Sequence, residues 1–159
     1  MATHQITGAG NINANTAPFA FQHYAKDFFE AYKKHKGGAK FSPARLFLIA
    51  RSIELAAKSL QLAQGEAPSK IKKIDHNLES ACEEKILNAY KITLTSAEKT
   101  ELKKANRYYK GKGFEYFLFN FPGVSFEQSG PQQAASGWRD LPDESVLETL
   151  CSKLLMPNL

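Results

Sequence analysis

Ser42-Pro43-Ala44-Arg45-Leu46-Phe47-Leu48-Ile49-Ala50-Arg51-Ser52-Ile53-Glu54-Leu55-Ala56-Ala57-Lys58-Ser59-Leu60-Gln61-Leu62-Ala63-Gln64-Gly65 is the stretch whose reading decides the fold. It has a helix start, with Ser42 as N-cap and Pro43 at the first helical position, and a stop at Gly65. Leu46, Ile49, Ala50, Ile53, Ala57 and Leu60 follow helical spacing along one face, and Leu48, Leu55 and Leu62 add a second apolar row. A helix apolar almost all round is buried on several sides at once. Yet Arg51, Glu54 and Lys58 form one i, i+3, i+7 stripe along it. Charges on a central helix must be paired or must line something wet.

The elements on either side predict an all-α chain. Upstream, Phe21, Tyr24, Ala25, Phe28 and Tyr32 recur at three- and four-residue steps and predict a helix over 18–36, with Lys33, Lys34 and Lys36 at its C-terminal end and Gly37-Gly38 beyond. Downstream, 66–73 reads as a linker containing Pro68. A third helix starts at Asp75 or Asn77 and carries Leu78, Ala81, Cys82, Ile86, Leu87 and Ala89. Thr95-Ser96-Ala97-Glu98 fits a capping box for a fourth helix, whose apolar face is Leu102, Ala105 and Tyr109. Phe114, Tyr116, Phe117, Phe119 and Phe121 form an aromatic strip, either a strand-like segment or a packed extended one. Residues 127–140, with Trp138, read as a loop, and a last helix is expected over 142–155. The expected architecture is an antiparallel four- to five-helix bundle with an irregular C-terminal segment and a last helix. It occupies 18–159 as a single domain behind a flexible N-terminal segment, 1–17.

Composition narrows the function. The 159 residues are ordinary in hydrophobic and charged content for a globular protein, and no apolar run approaches the ~20 residues that span a bilayer. No membrane contact is expected. The segment Met1 to Pro18 lacks the basic and apolar regions of a signal peptide. Cys82 and Cys151 have no metal-like spacing; of the two readings, a pair or two free thiols in a reducing cytoplasm, the second is expected. Net charge is +5, unevenly placed: residues 1–73 carry a balance of +7, residues 74–113 of +2 and residues 114–159 of −4. A basic front and an acidic tail permit an anionic partner or self-association. No Gly-rich phosphate loop, Ser-His-Asp arrangement or metal-ligand cluster is visible, so no cofactor and no metal is expected.

Two constellations carry possible chemistry. The first joins Arg51, Glu54 and Lys58 with His76 and Asn77, because a short linker brings the start of the third helix near Lys58. It reads either as a structural ion network or as a polar pocket in which Arg51 and Lys58 hold anionic oxygens and His76 and Asn77 orient them. The second is a row on the fourth helix, Lys99, Lys103, Arg107 and Lys110, spaced 4, 4 and 3, with Tyr108 beside it. It reads either as a solvated face or as a surface that follows a phosphate backbone and stacks bases. Aromatics of the 114–121 strip, if exposed, would suit a dimer or partner surface.

Three segments in order resemble the HEPN family (higher eukaryotes and prokaryotes nucleotide-binding domain). Leu48-Ile49-Ala50-Arg51-Ser52-Ile53-Glu54-Leu55-Ala56-Ala57-Lys58-Ser59-Leu60 is similar to the family's second helix. Asp75-His76-Asn77-Leu78-Glu79-Ser80-Ala81 resembles the His-Asp/Asn-Leu that opens its third, and 102–109 resembles the helix that ends in Arg-Tyr or Tyr. The resemblance covers about 20–113. It implies a helical bundle, a nucleotide or RNA ligand and a homodimer, and for many members metal-independent ribonuclease activity from an Arg followed four to six residues later by a His. This chain departs from that signature. Arg107 is followed by Tyr108-Tyr109-Lys110-Gly111-Lys112-Gly113, and neither Arg45, Arg51 nor Arg139 has a His at that distance. The expectation is a non-catalytic binding domain. A divergent, toxin-like ribonuclease and a protein-partner module are the alternatives. A nucleotide binder is expected to lose affinity in Lys58→Ala while keeping its fold.

Overall fold

The computed structural model describes residues 17–36, 42–115 and 140–157, and every regular element among them is a helix. In chain order these are α1 (Pro18–Lys34), α2 (Pro43–Ala63), α3 (Pro68–Ile74), α4 (Leu78–Ala81), α5 (Glu84–Ala89), α6 (Ser96–Lys110) and α7 (Glu144–Leu155). None is long and apolar enough to cross a membrane. The flexible segment expected over 1–17 (all but Ala17), the strip beyond Glu115 and the loop before Asp140 lie outside the described residues.

α2 is the centre, and its sequence explains why. The Ser42 hydroxyl accepts the Arg45 N–H at 3.3 Å, closing the first turn that Pro43 pre-sets. Every residue from Ser52 to Gln61 is buried, so this stretch has no solvent face. Its surroundings supply one wall each: α1 and α7 on one part of its circumference, α3, α4, α5 and α6 on the rest. Small residues permit the close approach. Ala25 of α1 meets α2 where the Ser52 hydroxyl donates to the Ala25 carbonyl at 2.7 Å. Ile49, Ile53 and Leu60 are fully buried, and truncating any of them to alanine costs about 2–5 kcal/mol.

At the other end of α1, Arg45 ties three helices together. Its Nε donates to Glu144 of α7 at 2.8 Å. Its Nη1 donates to the Tyr32 carbonyl at 3.1 Å and to the His35 carbonyl, and its guanidinium lies 4.3 Å from the Tyr32 ring centre. Burial, reinforced by Glu144 and Glu148, pushes the Tyr32 hydroxyl up to about 12.

The C-terminal half departs from expectation in two places. Residues 66–73 are not a plain linker: Pro68 is the first helical residue of α3, and buried Ile71 anchors that helix to the core. The third helix is not continuous. It breaks at Cys82-Glu83 into α4 and α5, with Glu83 at φ −57° and ψ 120°, off the helical conformation. The cause lies on α2, where the buried Gln61 Nε2 donates to the Ser80 carbonyl at 3.0 Å and the Ala81 carbonyl at 2.7 Å. Those are two of the oxygens that the next helical turn would otherwise use. α6 opens with the expected capping box: Thr95 Oγ1 accepts the Glu98 N–H at 3.2 Å and Glu98 Oε2 accepts the Thr95 N–H at 2.8 Å. Lys153 of α7 meets the same carboxylate at 2.7 Å, so cap and inter-helix tie share one residue. The last helix starts one turn-half later than expected, at Glu144, because Asp143 rather than the chain before Pro142 supplies the N-cap.

Candidate functional site

The charged stripe of α2 converges on Glu54, which is 1% exposed. Lys58, one turn on, donates to Glu54 Oε1 at 2.6 Å and to the Asp75 carbonyl at 2.5 Å. Arg51 Nη1, one turn back, donates to Oε2 at 2.9 Å. From α6 the Tyr109 hydroxyl donates to the same oxygen. The turn between α3 and α4 brings His76: its Nδ1 lies 3.3 Å from Glu54 Oε2 and 3.5 Å from Arg51 Nη1, and its ring packs edge-on against Tyr109 at 5.6 Å. The first His76 contact needs a proton on Nδ1 and the second needs none, so the tautomer selects between them.

These contacts set the protonation states. Burial works to raise the Glu54 carboxyl, but Lys58, Tyr109 and Arg51 outweigh it and hold the group below the usual carboxylate value. Burial also works against the Arg51 charge, and the Glu54 carboxylate beside it leaves that guanidinium held more firmly charged than usual. Burial and Glu54 together push the Tyr109 hydroxyl well above the ordinary phenol range, so it is a neutral donor.

This ion cluster is the polar end of a cavity of about 520 Å³ between α2 and α3. Phe21 of α1, Leu55 and Leu62 of α2, and Pro68 and Ile71 of α3 wall it. Lys72, Asp75 and His76 also line it, the first two exposed and His76 half-buried. Asp75 takes a positive φ of 51° at the C-terminal end of α3, which turns the chain so that its carbonyl faces Lys58. Of the residues expected here, Arg51, Glu54, Lys58 and His76 come together. Asn77 does not line the cavity. It caps α4, accepting the Ser80 N–H at 3.1 Å, and accepts from Asn106 of α6 at 3.2 Å. Sequence reasoning places Tyr109 on the apolar face of the fourth helix beside the basic row and does not assign it, Lys72 or Asp75 to this site; the signal for Tyr109 is a phenol on an apolar helix face, whose hydroxyl must find a partner.

The row on α6 forms a second feature. Lys103, Lys104, Arg107 and Lys110 line an open cleft of about 850 Å³ together with Glu79, Asn106 and Asp140. Lys104 lies 3.0 Å from Glu101 and 3.3 Å from Asp140, and Arg107 lies 3.6 Å from Asp140. Lys103 and Lys110 have no carboxylate within 4.0 Å among the described residues. Lys99 falls outside the cleft and pairs with Glu84 at 2.5 Å. Tyr108 departs from its expected role as a stacking platform. Its ring is fully buried, stacked on Phe114 at 5.5 Å, because position 108 follows Leu102 and Ala105 on the inward face of α6. Cys82 and Cys151 are both free and buried. Comparison of the chain with protein-family models, with curated proteins and with solved structures finds no match.

Proposed function

We propose that this chain is a non-catalytic, HEPN-like RNA-binding domain whose α6 cleft follows a phosphate backbone. The observation that carries the reading is the convergence of Lys103, Lys104, Arg107 and Lys110 on one open cleft, with Lys103 and Lys110 lacking a carboxylate partner among the described residues. The alternative site on α2 suits a polyanion less well, since Glu54 already neutralises much of Arg51 and Lys58. With Tyr108 buried, contact in the cleft is electrostatic rather than stacking, so little sequence preference is expected. The absence of a His four to six residues after Arg107 supports binding without cleavage.

The test is the anisotropy of a labelled single-stranded RNA titrated with the protein in EDTA at several salt concentrations. Contacts from Lys103 and Lys110 alone give a slope of about −1.4 in log affinity against log salt, rising to about −3 where phosphate displaces the carboxylates beside Lys104 and Arg107. Lys103→Glu with Lys110→Glu is expected to weaken binding at least tenfold and flatten that slope, with an unchanged melting curve, since both side chains are exposed. Absence of binding at low salt sinks the proposal. A slow decay of anisotropy after mixing, lost in Arg107→Ala, replaces it with the ribonuclease reading.

A further inference from the structure

We propose that the cavity between α2 and α3 is a separate binding site for a small organic monoanion: an aliphatic body ending in one carboxylate. None of its lining residues is shared with the α6 cleft, so the assignment is independent of RNA binding. Three features of the cavity select this chemistry.

The first is the wall. Phe21, Leu55, Leu62, Pro68 and Ile71 present hydrocarbon, and beside the ionic end only Ser69 adds a side-chain hydrogen-bonding group. A nucleobase would leave its edge donors and acceptors unmatched there, at a cost that an alkyl chain does not incur. The cavity is half-open, and its volume of about 520 Å³ is in the range that small-ligand pockets offer, with more apolar than polar lining.

The second is the charge count. Three cations, Arg51, Lys58 and Lys72, and two carboxylates, Glu54 and Asp75, line the cavity, an excess of one positive charge among these five groups. One ligand anion balances the site, whereas a di- or triphosphate would overfill it with negative charge next to the buried Glu54.

The third is the placement of donors. Lys58 is held by Glu54 and the Asp75 carbonyl, so it is fixed at the floor. Lys72 is exposed, with no carboxylate within 4.0 Å among the described residues. Arg51 meets Glu54 through Nη1 and is partly exposed toward the cavity, and a guanidinium carries further N–H donors in the same plane. Lys72 and Arg51 both line the cavity and are the donors it offers to a ligand carboxylate.

The experiment is calorimetric titration of the full chain with sodium octanoate, 1-octanol and adenosine monophosphate in parallel. Octanoate is expected to bind one to one, with 1-octanol and the nucleotide each at least tenfold weaker. Lys72→Glu is expected to reduce octanoate affinity at least tenfold and Lys72→Arg to restore it. Because Lys72 is exposed, the melting curve of Lys72→Glu should match that of the parent. Leu62→Gln, in the wall, should weaken octanoate without altering the preference for the anion. RNA binding should be indifferent to Lys72→Glu, and octanoate binding indifferent to Lys103→Glu, so either proposal can fail alone. No heat with octanoate at millimolar concentration overturns the assignment. So does octanoate affinity unchanged in Lys72→Glu, or a nucleotide that binds more tightly than octanoate.

Discussion

Glu54 is a carboxylate that the core tolerates only because four neighbours address it: Lys58, Arg51, Tyr109 and His76. Glu54→Gln removes the charge that Lys58 and Arg51 balance and places an amide N–H₂ beside one of them. The expected cost at neutral pH is about 3–5 kcal/mol, the range for breaking a buried ion pair from one side. Its pH dependence has a definite sign. The folded-state carboxyl is held below its ordinary value of 4.5, so its stabilisation is complete above that value and is lost as pH falls through the lower, folded one. Urea midpoints of parent and Glu54→Gln should therefore lie far apart at pH 7 and draw together below about pH 4. A gap of constant width would mean that the cost is steric. The same geometry changes what Lys58→Ala reports. That variant strands Glu54 and frees the Asp75 carbonyl, so a loss of ligand binding in it would first reflect a damaged fold. The stripe itself was legible from its spacing along one helix, and His76 from its place at the start of the next. Adjacency in sequence puts Asn77 beside His76, but a residue at an N-cap turns its side chain onto the first turn of its own helix.

At the scale of the elements, what could be read were the ends with a local signature: Ser42-Pro43 for α2 and Thr95 to Glu98 for α6 both form the caps their residues dictate. What could not be read was the break between α4 and α5, because its cause is a side chain on another helix. Periodicity alone makes Leu78 to Ala89 one helix; Gln61 ends it after one turn by taking the Ser80 and Ala81 carbonyls. The hint lay in α2, where a glutamine occupies a position that the apolar pattern assigns to the interior. Gln61→Leu keeps the volume similar and removes the donor, leaving two carbonyls in the core without it. It should destabilise by about 1–3 kcal/mol, measured by urea denaturation. The backbone amides of 84–86 should also gain protection from hydrogen exchange if the two short helices fuse. A variant as stable as the parent, with unchanged exchange, would show that the break has another origin.

Over the whole molecule, the near-continuous apolar surface of α2 made its burial legible, and the helical spacing of the flanking segments made its neighbours legible as helices; among the described residues α2 is buried from Ser52 to Gln61 and every element packed on it is a helix. The two thiols offer a way to ask whether this assembly opens as one unit. Burial pushes both Cys82 and Cys151 up to about 12, so neither is a reactive thiolate in the folded state and alkylation must wait for an opening. Their positions differ. Cys151 is fully buried on α7 and contacts Ser52 at 3.0 Å; the Ser52 proton is committed to the Ala25 carbonyl, so the thiol donates. Exposing Cys151 means separating α7 from α2, which dismantles the core. Cys82 ends the single turn of α4, tied by its N–H to the Leu78 carbonyl at 2.9 Å and held in place through Gln61. A local opening of α4 and α5 is the shorter route to its exposure, since among the described residues those two helices pack mainly on α2 and α6. Iodoacetamide labelling followed by peptide mass spectrometry across a series of low urea concentrations separates the two routes. Cys151 labelling should rise with the full denaturant slope of global unfolding, and Cys82 labelling should be faster and rise with a smaller slope. Equal slopes would mean that α4 and α5 open only when the α2 core does, and that the Glu54 cluster and the break at Cys82-Glu83 belong to one cooperative unit.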